Sequence, residues 1–165
     1  MRLASGELET VLRAAAGSVV RSRGTEVTVH LSRIDGTFIA LVVVQALHSL
    51  EEFHGRLYDV FPPARFMSGL VSEDRAFGFV LLNVALVTFG VWCYIWPIRR
   101  RSPSAVSLTW IWIGIELVNG VGHPLWSVRE SGYTPGVATA PVLLALALYL
   151  ARLMRESSKS AARTA

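Results

Sequence analysis

The chain has 165 residues, 52% of them hydrophobic, with a mean hydropathy of +0.45 and a formal charge of +4. That is enough for one domain but too apolar for an ordinary soluble one, which could not hide so much apolar surface. The positive charges flank apolar runs, which points to a membrane surface and not to nucleic acid, and a single cysteine, Cys93, excludes an intramolecular disulfide.

Residues 1–33 are polar and Arg-rich. Leu8, Val11, Leu12, Ala15, Ala16, Val19 and Val20 recur at helical spacing, which fits either a short amphipathic helix or a plain tail. No short apolar core with a small-residue cleavage site precedes residue 20, so no cleaved signal peptide is expected.

Four apolar segments follow, at about 34–55, 76–97, 105–127 and 135–153. Each is long enough to cross about 30 Å of hydrocarbon at about 1.5 Å per residue. The expected fold is therefore all-α, an integral membrane bundle of four transmembrane helices over residues 34–155 with a tail over 156–165. Arg2, Arg13, Arg21, Arg23 and Arg33 precede the first segment, Arg99, Arg100 and Arg101 fill the second loop, and Arg152, Arg155, Lys159 and Arg163 close the chain. These are 12 of the 16 basic residues and place both termini in the cytoplasm of a multi-pass cell-membrane protein. The first loop, about 20 residues long, is read as either a cap over the outer face or a linker.

The polar residues within these segments carry the chemistry. On the first, Gln45, His48 and Glu52 share one helical stripe, with Glu51 at its edge. The second contributes Asn83. The third contributes Glu116, Asn119 and His123, followed by Gly120-Val121-Gly122-His123-Pro124, where the helix is expected to break because Pro124 has no N–H for the Gly120 carbonyl. The fourth begins Tyr133-Thr134-Pro135-Gly136, with Thr134 suited to an N-cap and Pro135 to the first helical position. With the topology above, His48, Glu51, Glu52, Asn83, Glu116, Asn119 and His123 all fall within roughly 5–17 Å of the outer surface. An ionised side chain at mid-bilayer costs on the order of 2.5–3.5 kcal/mol, so these groups should face one another, either as helix–helix glue or as a functional site.

His48-Ser49-Leu50-Glu51-Glu52, then His123, then Tyr133-Thr134-Pro135-Gly136 resemble, in this order, the HxxEE-domain family. The resemblance spans about residues 34–150 and implies a membrane-embedded protein in which these residues matter. It implies no reaction.

Three functions compete. The first is an enzyme doing acid–base chemistry, such as isomerisation, cyclisation or hydration, on a hydrophobic small molecule and requiring no cofactor. A dry pocket lets one Glu serve as proton donor near neutral pH while another stays ionised. Glu52 and Glu116 are the expected acid and base, His48 and His123 the relays, and Asn83 and Asn119 the orienting groups, with Glu51, Gln45 and Tyr133 beside them. The second is a divalent-metal site built from His48, Glu51, Glu52, Glu116 and His123. The third is a transporter or structural subunit. A polar cluster confined to one leaflet traces no path across the membrane, although a homo-oligomer could still conduct.

Overall fold

The structure is a computed structural model that describes residue 28 and residues 31–162. The Arg-rich segment and its possible amphipathic helix lie outside the described residues, apart from the start of the first long helix. The compact unit that carries the polar residues is Ile34–Ala165.

Among the described residues every regular element is helical. Helix α1 spans Leu31–His54. Two short helices follow, α2 (Leu57–Val60) and α3 (Pro62–Val71), and then α4 (Arg75–Cys93). A π-helical turn, Tyr94–Ile98, extends α4, and α5 (Ala105–Arg129) and α6 (Ala140–Ala162) complete the order.

Helices α1 and α5 turn their polar groups inward and large apolar side chains outward. The inward face of α1 runs from Ile34, Phe38 and Leu41 to Gln45, His48 and Glu52, while Val43, Leu47 and Leu50 are exposed. In α5, Thr109, Glu116 and His123 are buried, while Val118, Leu125 and Val128 are exposed. A soluble helix has the reverse arrangement; this one matches a lipid solvent. Three helices, Leu31–His54, Arg75–Ile98 and Ala105–Arg129, are long and apolar enough to cross a membrane. The chain is an all-helical membrane protein.

The fourth segment differs from expectation. Residues 135–139 form turns, and α6 begins only at Ala140. Thr134 and Pro135 therefore do not start the helix. The apolar part of α6 is correspondingly short, because Arg152, Arg155, Glu156 and Lys159 occupy its second half. The helix also continues through 156–162, where a tail was expected.

A second correction concerns α5, which is one continuous helix through Gly120-Val121-Gly122-His123-Pro124. Pro124 removes a single N–H, and the helix carries on at both sides of it. Pro97 is accommodated differently, by the wide turn in which Arg99 N donates to Tyr94 O at 2.9 Å.

The first loop is helical. Pro62 and Pro63 occupy the first turn of α3, where a missing N–H costs nothing. Asp74 caps α4, accepting from Ala76 N at 2.9 Å and Phe77 N at 3.2 Å. Leu57, Tyr58 and Phe79, with Phe53, Phe61 and Trp126 around them, pack into an aromatic roof. At the other end, Phe38, Trp112, Ile113, Leu143, Ala147 and Leu150 form the main core. Arg101 clamps the α4–α5 turn to α1 through a two-pronged ion pair with Asp35, at 2.9 and 2.8 Å. Along α1, the polar stripe 45–52 lies between the apolar stretch 34–42 and the roof residues.

Candidate functional site

His48 and Glu52 stand one turn apart on α1, and His123 comes from α5. Glu52 Oε1 lies 3.0 Å from His123 Nε2 and 3.4 Å from His48 Nε2. The imidazole rings meet at 84° with centroids 4.7 Å apart. All three side chains are buried, and their potential ligand atoms lie within 4.8 Å of one another. The group could hold a metal ion.

The other ring nitrogens are fixed by partners from the turn ahead of α6. His123 Nδ1 is 2.7 Å from the Pro135 carbonyl, which only accepts, so Nδ1 carries a proton. His48 Nδ1 is 2.7 Å from Thr139 Oγ1, and that hydroxyl gives its one proton to Glu51 Oε2 at 2.6 Å. His48 Nδ1 must therefore donate to Thr139. Both histidines thus present Nε2 to the same carboxylate oxygen. Nε2 of His48 is buried and makes no hydrogen bond among the described residues.

Glu51 faces away from this centre. Its Oε1 accepts from Tyr133 OH at 2.7 Å, Gly136 N at 3.1 Å and Ala138 N at 3.0 Å; its Oε2 accepts from Thr139 N at 3.0 Å and from the Thr139 hydroxyl. One carboxylate gathers five donors and folds the Tyr133–Thr139 segment over the histidines. Tyr133, outside the spans, holds its proton above the ordinary tyrosine range because it donates to Glu51. Gly136 makes the closure possible: its φ is +91°, and a Cβ there would sit 2.6 Å from His123 ring atoms and 2.8 Å from His48 Cε1.

Glu116 is fully buried and reaches the α1 stripe through Gln45. With the Gln45 NH2 turned toward Glu116, it donates to Oε2 at 2.8 Å, and the amide oxygen stands 3.2 Å from Ser49 Oγ. With the amide reversed, its oxygen accepts from Asn119 Nδ2 at 3.2 Å and its NH2 donates to Ser49 Oγ at 3.2 Å. The first orientation serves an ionised Glu116; the second offers an acceptor to a protonated one. Ser49 Oγ donates to Asn83 Oδ1 at 2.6 Å, and Asn83 Nδ2 donates to Phe79 O at 3.0 Å.

The structure therefore gathers His48, Glu52 and His123 into one centre. It assigns Glu51 and Tyr133 to the covering turn, and Gln45, Asn83, Asn119 and Glu116 to an adjoining network. Sequence reasoning missed Thr139, Ser49 and the Pro135 carbonyl. Thr139 was visible as an isolated polar group in an apolar run and Ser49 as a residue within the motif itself; a backbone carbonyl leaves no such signal. A groove of about 440 Å³ lies beside the network, with Leu50, Phe53, Phe79 and Val84 among its walls and Ser49, Asn83 and Thr88 as its polar side chains.

A family model described as a protein of unknown function with HXXEE motif matches residues 39–150, about two thirds of the chain. The chain belongs to the HXXEE family. In this HXXEE protein the two motif glutamates have opposite tasks, Glu52 facing the histidines and Glu51 facing the turn. No curated protein and no solved structure matches the chain.

Proposed function

We propose that this protein is a multi-pass cell-membrane enzyme that acts on a hydrophobic small molecule at a divalent-metal centre formed by His48, Glu52 and His123. The observation that carries the reading is the pair of tautomers. With both Nδ1 atoms donating outward, both Nε2 atoms face one carboxylate oxygen, and as neutral ligands their lone pairs would converge where a cation can join them. Metal bonds of about 2.0–2.1 Å hold neighbouring ligand atoms about 3.0–3.4 Å apart, and the distances to Glu52 fall in that range. Thr139, backed by Glu51, and the Pro135 carbonyl act as the outer partners that fix ligand histidines in other metal sites.

A bound divalent ion would supply Lewis-acid polarisation of an oxygen on the substrate. The protein's own residues do the rest. The Tyr133–Thr139 turn excludes water, Glu116 gives or takes a proton, and Gln45 accommodates either state by turning its amide. The α1–α4 groove, within the usual range for small-molecule sites and largely apolar, suits a hydrophobic substrate.

The acid–base reading without metal is favoured by the 3.0 Å contact between His123 Nε2 and Glu52, which is also the length of a hydrogen bond within an imidazolium–carboxylate pair. Cobalt(II) titration of detergent-purified protein separates the two. The metal reading predicts saturable visible absorption bands that His123→Ala and Glu52→Ala abolish. Folded wild-type protein that develops no such bands contradicts it and leaves the proton-sharing pair.

A further inference from the structure

Helix α3 lies outside the three spans, between α1 and α4, and its surface divides into three sectors at about 100° per residue. Ala64 and Ser68 form the packed sector; Ser68 is fully buried, its carbonyl against Gly78 of α4 where no Cβ would fit. Arg65 and Gly69 form an exposed, non-hydrophobic sector. The widest sector carries Phe66, Met67, Leu70 and Val71, exposed by 65%, 48%, 66% and 43%. A ten-residue helix that leaves four large apolar side chains uncovered while burying a serine is oriented for something other than this chain's own core.

We infer that α3 is an interfacial membrane anchor, lying along the bilayer surface with Phe66, Met67, Leu70 and Val71 in the acyl boundary of the leaflet that α1 leaves and α4 enters. Three observations select lipid over a protein partner. First, the apolar sector continues onto α4, where Phe77, Val80, Leu81 and Val84 are exposed along the start of a membrane-crossing helix. Second, α3 sits at the ends of two spans, which is headgroup depth for any bundle of these lengths. Third, the charges cluster beside it: Arg56 and Arg75 both pair with Asp59, at 2.8 and 3.7 Å, and Arg65 is exposed. An apolar face with Phe and Leu beside a charged edge, where Arg56, Arg65 and Arg75 balance Asp59, Glu73 and Asp74, fits a helix lying in the interface. The anchor fixes the height of the aromatic roof, since Phe61, which precedes α3, packs at a tilt against Trp126 of α5 with centroids 4.6 Å apart.

The test uses the full chain in phosphatidylcholine nanodiscs with the environment-sensitive NBD fluorophore on single introduced cysteines. Cys93 is completely buried, so wild-type protein serves as the labelling blank. The variants are F66C, M67C and L70C on the apolar sector and R65C and G69C on the polar one, all at exposed positions whose replacement leaves the packed sector intact. The anchor predicts blue-shifted emission at 66, 67 and 70, with more than half of it lost to lipids doxyl-labelled near the headgroup, while 65 and 69 remain quenched by aqueous iodide. Iodide quenching at all five positions would overturn it in favour of a solvent-facing cap. Protection of 66, 67 and 70 from both quenchers would overturn it in favour of a protein partner, including a second copy of the chain.

Discussion

Adjacent glutamates illustrate how little residue type says about role. Glu51 and Glu52 differ by one helical step, yet one collects five donors from the turn and the other faces two imidazoles. The stripe of Gln45, His48 and Glu52 was legible because helical spacing alone fixes it, and His123 was legible as its counterpart on α5. The task of Glu51 was not, since its partners lie more than 80 residues away and most of them are backbone N–H groups without a sequence signature. Thr139 makes the difference measurable. Thr139→Val keeps the shape but removes the link between His48 and Glu51, and should weaken metal binding by about 10–100-fold with the fold retained, as loss of an outer-shell partner does elsewhere; competition with a chromogenic chelator reads this directly. Gly136→Ala has a different consequence. The added methyl meets both imidazoles and forces an L-residue to positive φ, so it should cost about 1–3 kcal/mol by overpacking alone, visible as a lower melting temperature in detergent.

At the scale of elements, the long helices were legible because twenty apolar residues have few alternatives to a span. The fourth was misplaced at its start. Thr134-Pro135-Gly136 reads as a cap and first turn, but Glu51 offers the N–H groups of residues 136, 138 and 139 a charged acceptor, and a turn that satisfies it displaces the first turn of helix. The Pro124 break was overestimated for a related reason: a proline removes one hydrogen bond, and close neighbours keep the helix in line. One such neighbour is α6 at Gly120, where a Cβ would stand 2.7 Å from Leu144 Cβ and 2.9 Å from its backbone. Small residues at such crossings let membrane helices approach without a hydrophobic driving force. Gly120→Val should therefore separate α5 from α6 and lower thermal stability clearly, while Gly114→Val, with open space around its Cα, should leave it nearly unchanged; paired thermal melts decide.

For the whole molecule, the sequence announced a membrane bundle with its polar groups turned inward, and the exposed valines and leucines of α1 and α5 bear out that inversion. It could not show which polar groups meet, because that depends on how α1 and α5 face each other and on a turn folded by Glu51. The assembled picture is a buried His–Glu–His centre covered by the Tyr133–Thr139 turn, with a largely apolar groove alongside. Its central claim is that the centre exists to hold a divalent ion. Metal analysis by mass spectrometry on detergent-purified wild type, before and after reconstitution, with His48→Ala/His123→Ala as control, tests this most directly. The account predicts about one equivalent of a divalent transition metal in the wild type and none in the double variant. A well-folded wild type that stays metal-free after reconstitution, or a double variant that retains the same equivalent, would contradict it.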